Sequence, residues 1–172
     1  MALRLLRGIA EVLAYVHRSG VIHRDLHAPN ILLEKGSLDS IKLADFGTAR
    51  DYSIQDLSES DQYKTFRPIG AMGHCAPEKW VNPHHAGPES DIFSLGVMFF
   101  HATTGQYPFW QDSYVSLYES IIRGKPRASL ESIEGLSGKF CTLLDAMMNP
   151  SQIFRIATAE DVIAECNEIL ES

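Results

Sequence analysis

HRDLHAPNILL, residues His23–Leu33, sets a His, an Arg and an Asp in tandem five residues before an Asn, then runs into apolar residues. Asp and Asn are turn-favouring residues that bond their own backbone, so Asp25 and Asn30 stand on either side of a loop. Ile31, Leu32 and Leu33 behind them read as a short strand. Immediately before the loop, MALRLLRGIAEVLAYVHRSG repeats Leu5, Ile9, Val12 and Val16 at helical spacing beside Leu6 and Leu13, with Arg4, Arg7 and Glu11 on the other side. That pattern predicts an amphipathic core helix ending at Gly20 rather than a targeting peptide, despite two early arginines and no acid before Glu11.

After the loop come further short apolar runs. Val21-Ile22, Ile31–Leu33 and Ile41–Leu43 are expected to be strands separated by polar turns. The polar, acidic stretch DYSIQDLSESDQYK, Asp51–Lys64, and the Pro- and Gly-bearing sequence up to Pro88 read as one long loop, a length usually reserved for function. From Ser90 the pattern turns helical. Ile92–Ala102 is apolar nearly all round, as a buried helix is, and Gly105 can end it. Further helices are predicted over Ser113–Arg123, Lys139–Met148 and Thr158–Leu170. The expected fold class is mainly α with a few short β-strands, α+β, in a single unit over residues 1–172 without internal repeats.

Bulk properties narrow the function. With 172 residues, 45% hydrophobic and 22% charged, the chain has the composition of one domain with a substantial core. A formal net charge of −7 without a basic run argues against nucleic acid as a partner. The most apolar segment, Ile92–Phe100, is about half the ~20 residues a membrane span needs, so no membrane partner is expected. Cys75, Cys141 and Cys166 are odd in number, far apart and in no CxxC pair, which reads as reduced thiols of an intracellular, cytoplasmic protein. His84-His85, with His74 and Cys75 upstream, fit no common zinc spacing. Phe99, Phe100, Tyr107, Phe109 and Trp110 read as packing.

Three motifs together carry a resemblance. HRDLHAPN has the HRDxxxxN spacing, LADFGTAR contains Asp45-Phe46-Gly47, and HCAPEKW contains Ala76-Pro77-Glu78. In this order they resemble the C-terminal, catalytic-loop lobe of the eukaryotic protein kinase family. The segment SDIFSLGVMFFHATTGQYPF then resembles that family's central helix, with Asp91, Gly96, Gly105, Pro108 and Phe109 where the pattern expects them. The resemblance implies ATP- and Mg²⁺-dependent phosphoryl transfer to protein hydroxyls, Ser/Thr rather than Tyr. Asp25 would accept the substrate hydroxyl proton, Asn30 and Asp45 would be Mg²⁺ ligands, and Leu32 would lie beneath the adenine of ATP. Arg155 resembles the Arg that pairs with the APE Glu, here Glu78, although Asn149 stands for the usual Asp and the spacing is long. Arg24 invites pairing with a phosphate on the long loop, where Ser53, Ser58, Ser60, Tyr63 and Thr65 are acceptors.

The chain also departs from the family. His27 stands where protein Ser/Thr kinases usually carry Lys, and Pro29 where tyrosine kinases usually carry Arg; Ala71 and His74 replace a Thr and an aromatic residue. His27 belongs with the catalytic loop either as an imperfect substitute for a cation or as a neutral hydrogen-bonding group. The latter is how it looks in the HxDLHxxN loop of related small-molecule phosphotransferases. No GxGxxG occurs and no Lys precedes Lys35. The resemblance therefore implies a truncated or split kinase whose isolated chain is inactive, its cleft open to a missing lobe or a protein partner. A non-catalytic interaction module and a small-molecule phosphotransferase are the alternatives.

Overall fold

The computed structural model describes residues 1–38, 40–51, 73–81, 86–109, 111, 113–124 and 137–172. Helix α1, Ala2–Arg18, buries Leu6, Ile9, Ala10, Leu13, Ala14 and Val16 on one stripe, and His17 and Arg18 in its last turn complement the helix dipole. Gly20, at φ 79°, supplies the left-handed turn into strand β1, Val21–Ile22. Strands β2, Ile31–Leu33, and β3, Ile41–Leu43, pair antiparallel with Ile31 opposite Leu43 and Leu33 opposite Ile41. β1 pairs antiparallel with β4, Arg50–Asp51.

Helix α2 is Pro77–Val81 and helix α3 is Pro88–Thr104. Every residue of α3 from Ser90 to Phe100 is buried, as its all-round apolar pattern requires. Gly105, at φ 70°, closes α3 by donating its N–H to the His101 carbonyl at 2.8 Å. Helix α4, Tyr114–Arg123, starts at Ser113, whose hydroxyl accepts the Ser116 N–H. Helix α5 is Gly138–Met147; α6, Ala159–Glu171, starts at Thr158, whose hydroxyl accepts the Asp161 N–H. α1 lies along α6, and α3 against α5. A Cβ at Gly96 would come within 2.9 Å of Met148 Cγ and 3.0 Å of Met147 Cβ, so only Gly lets these residues approach α3 so closely.

The chain is thus mainly helical with a few short strands, and the first helix, the three expected strands and the later helices stand within a residue or two of where the pattern places them. α3 likewise starts two residues before Ser90, at Pro88, a residue preset for the first helical turn. The expected loop up to Pro88 is corrected at one place: α2 occupies Pro77–Val81. Five residues are too few for a periodicity, and the helix is announced only by Pro77 at its first position. β4 was not expected either, because Arg50-Asp51 has no apolar alternation and is a strand only through its pairing with β1. The middle of that loop, residues 52–72, with the acceptors Ser53 to Thr65 and Ala71, lies outside the described residues, as do His84 and His85. The three cysteines are free thiols, and burial pushes Cys166 up to about 12. Among the described residues no helix is long and apolar enough to cross a membrane.

Candidate active site

Beyond β1 the chain leaves its ladder, and the backbone polar groups of His23, Arg24 and Asp25 must find other partners. Side chains supply all of them. The N–H groups of His23 and Arg24 donate to Asp91 Oδ2 and Oδ1, both at 2.8 Å. Thr48 Oγ1 donates to the His23 carbonyl at 3.3 Å, and the Lys79 ammonium donates to the Arg24 carbonyl. Asp25 N–H donates to His23 Nδ1 at 3.3 Å, while Asn30 Nδ2 donates to the Asp25 carbonyl at 2.9 Å. Arg24 itself is left-handed, φ 67°, a conformation a non-Gly residue keeps only where its surroundings over-determine it.

Asp91, 1% exposed in the first turn of α3, is the hub of this arrangement. Its Oδ2 also lies 3.0 Å from His17 Nε2, so a buried carboxylate has three nitrogen partners in place of water. The His23 ring is oriented at both ends. Its Nε2 lies 2.9 Å from the Ala44 carbonyl, which can only accept, so Nε2 carries the proton and Nδ1 is left to accept from Asp25. The ring also packs on Phe46 at 4.8 Å between centroids.

The structure brings Asp25, His27 and Asn30 together. Because the Asp25 carbonyl can only accept, the Asn30 amide must point its NH₂ inward, and that NH₂ also lies 3.1 Å from His27 Nε2. In this contact His27 Nε2 faces a donor, and it stands 3.7 Å from Asp25 Oδ2, outside hydrogen-bond distance. The β2–β3 register carries Asp45 to the same end of the hairpin as Asn30, since Ala44 N–H donates to the Asn30 carbonyl at 2.9 Å. Asp45 is exposed and left-handed, φ 61°, and its Oδ1 accepts the Gly47 N–H at 3.3 Å. Leu32, opposite Lys42, is 49% exposed.

A divalent cation suits this donor set. With the Asn30 NH₂ engaged twice, its carbonyl oxygen is the group available to a cation, and Asp45 adds a carboxylate. Both are hard oxygens, and Mg²⁺ needs only one or two protein ligands besides phosphate and water. Among the described residues no three His, Cys, Asp or Glu converge as a self-sufficient metal cage.

Arg155 and Glu78 fasten α2 beneath the loop. Arg155 Nη1 and Nη2 donate to Glu78 Oε1 and Oε2 at 2.8 and 3.0 Å; Nε takes the Asn149 carbonyl, Nη1 also the Glu89 carbonyl and Nη2 the Pro150 carbonyl. All five guanidinium donors are used. Burial by itself would raise the Glu78 carboxyl, but the Arg155 bonds and charge, helped by Ser90, hold it below its usual value. The long spacing from Pro150 to Arg155 is absorbed outward. Phe154 and Arg155 both donate their N–H to Ser151, and Ile153 and Phe154 stand 88% and 76% exposed. His74 lies edge-on to Tyr107, which stacks on His101 at 4.1 Å. Burial lowers His74 from 6.5 to about 4, and His27 and His101 push the same way.

Asp91, Thr48, Lys79 and the His23 ring were not foreseen as parts of this site. Asp91 had a signal in the sequence, an acid inside an almost wholly apolar helix, which is rarely buried without partners. Thr48 and Lys79 act on backbone carbonyls 25 and 55 residues away, which no local pattern records.

Comparison with known proteins agrees with this geometry. The family model described as a protein kinase domain matches residues 2–166. The chain is similar to the serine/threonine-protein kinase ppk25 of Schizosaccharomyces pombe, 35% identical over 141 residues, 82% of this chain and 30% of that protein. It is 32% identical over 160 residues to calcium-dependent protein kinase 17 of Arabidopsis thaliana, covering 92% of this chain and 29% of that one. It is also 32% identical over 168 residues to the serine/threonine-protein kinase PknL of Mycobacterium tuberculosis, covering 97% and 40%. The chain thus spans less than half the length of these curated relatives.

Proposed function

The chain belongs to the protein kinase family, and from that premise we propose that it carries the catalytic loop for ATP- and Mg²⁺-dependent phosphoryl transfer to Ser or Thr hydroxyls of a protein substrate. The observation that supports this reading best is the Asp25–Asn30 loop. A carboxylate and an amide are held in one strained turn whose every backbone group at residues 23–25 is tied down. Such fixed placement is what phosphoryl transfer asks of a protein, since positioning and charge compensation supply most of the acceleration.

In this reading Asp25 orients the acceptor hydroxyl and takes its proton as the oxygen attacks the γ-phosphorus and ADP departs. Asn30 and Asp45 would hold Mg²⁺, which when bound would supply charge neutralisation to the phosphates. His27, by accepting from the Asn30 NH₂, keeps the amide oxygen turned toward the cation. Leu32 offers an apolar surface to the adenine. The 172 residues hold no GxGxxG and no Lys before Lys35, so by themselves they are expected to transfer nothing. The test supplies a protein kinase's glycine-rich lobe to the chain and follows transfer of radiolabel from γ-labelled ATP to a mixed protein substrate, with phosphoamino-acid analysis. Phosphoserine and phosphothreonine are expected, with a loss of about 10²–10⁴-fold in Asp25→Asn. Undiminished transfer by Asp25→Asn, or label found only on small-molecule acceptors, overturns the reading.

The exposed side chains of Leu32, Leu33 and Phe46 favour a second reading, a non-catalytic module whose apolar cleft is covered by a protein partner. Absence of any transfer even with that lobe supplied supports that one instead.

A further inference from the structure

We propose that Lys79 is a positioning residue for the transfer reaction, holding the Arg24–Asp25 peptide in the orientation that presents the Asp25 carboxylate; this rests on the kinase reading above. Its ammonium donates to the Arg24 carbonyl across 55 residues of sequence. That carbonyl belongs to the peptide bond whose nitrogen is Asp25, so whatever fixes it fixes the direction in which the chain enters Asp25. Arg24 is left-handed, φ 67°, and relaxing it would rotate this peptide. Its N–H is fixed by Asp91 at 2.8 Å. The carbonyl end of the same residue is fixed by Lys79.

Lysine ordinarily keeps its ammonium in water on a flexible stem, and tying it to a backbone carbonyl costs side-chain entropy. What makes the bond sustainable is the rigidity of the turn from which Lys79 projects. Its N–H donates to the Ala76 carbonyl at 3.1 Å. Glu78 before it is locked on Arg155 by two bonds, and Trp80 after it donates Nε1–H to the Cys75 carbonyl at 3.3 Å and packs on Tyr118 at 5.5 Å. With both neighbours pinned, the backbone that carries Lys79 is already ordered, and a charge-assisted bond to a carbonyl is stronger than one between neutral groups and offsets part of the side chain's entropy cost. Lys79 thereby links α2 directly to the catalytic loop.

The test compares parent, Lys79→Met and Lys79→Arg, each with a protein kinase's glycine-rich lobe supplied, by steady-state transfer kinetics and by hydrogen exchange at the Arg24 and Asp25 amides. Met keeps the length of the stem without a donor, and Arg restores one. Lys79→Met is expected to lower kcat by about 10–100-fold while leaving KM for ATP and the melting midpoint close to the parent, with faster exchange at both amides. Lys79→Arg is expected to recover most of kcat. An active parent whose kcat and amide exchange are unchanged in Lys79→Met overturns this role alone. Equal losses in the Met and Arg variants overturn it as well, because a donor would then not be what matters. A parent without transfer overturns the proposed function and this role with it.

Discussion

Residues 23–30 and helix α3 meet at Asp91 but are held by opposite means. From Ser90 to Phe100, α3 is buried on every side, and its neighbours are mostly Leu, Phe, Met and Ile side chains. The loop has no ladder and little apolar cover beyond Leu26; at residues 23–25 its order comes from one side-chain hydrogen bond per backbone group, supplied by Asp91, Thr48, Lys79, His23 and Asn30. Burial spreads stabilisation over many atoms, so a core tolerates small adjustments. A polar scaffold concentrates it in single contacts, each of which can be lost without unfolding the rest. In the proposed function the chemistry falls on the second kind of structure, where the Asp25 carboxylate is only partly buried, while Asp91 transfers the rigidity of the first kind to it.

The contrast is broken most severely at Arg155, where a fully used guanidinium serves both regions. Arg155→Ala leaves the Glu78 carboxylate facing Ser90 without a cation and three carbonyls without a donor, and should cost about 3–5 kcal/mol, a large share of the ~5–15 kcal/mol of an ordinary domain. Urea denaturation measures it; an unchanged midpoint would show that the pair does not fasten α2.

Acid comes next. The unfolded chain protonates His74 near pH 6.5, whereas the folded chain resists until about pH 4. Between those values the unfolded state binds more protons, so stability falls as pH drops through the window and returns as it rises. The loss should be on the order of 3 kcal/mol by pH 4, and it should vanish in His74→Phe. Glu78 adds a separate loss below its usual carboxyl range, because its folded value is lowered. A stability curve for His74→Phe that falls as steeply as the parent's between about pH 6.5 and 5, above the range where Glu78 contributes, would remove His74 as its source.

Smaller effects sharpen the same comparison. Gly96→Ala brings a methyl against Met147 and Met148 and should cost about 1–3 kcal/mol by overpacking, with transfer kinetics otherwise intact. Thr158→Ala removes the cap of α6 at about 1 kcal/mol. Neither should change exchange at the loop amides, since neither touches a contact that holds them.

What could be read from the sequence follows the same division. The buried helix, the amphipathic first helix and the capped later helices announce themselves by period and by Gly105, Ser113 and Thr158, because burial imposes a repeating pattern. The spacing of Asp25 and Asn30 was legible, and so was the pairing of Arg155 with Glu78 by resemblance. The polar scaffold was not. Thr48 and Lys79 look like any surface residues until folding brings them to the His23 and Arg24 carbonyls, and nothing in the loop's spacing records that the Asn30 NH₂ lies between the Asp25 carbonyl and His27 Nε2.

The central claim is that the loop of residues 23–30 borrows its rigidity from α3 through Asp91. Native-state hydrogen exchange at the His23 and Arg24 amides tests it directly, in the parent and in Asp91→Ala. The parent should protect both amides nearly as well as those of Phe93–Val97, and Asp91→Ala should release them far more than it releases α3. Loop amides that exchange in the parent as fast as an unstructured peptide would contradict the account.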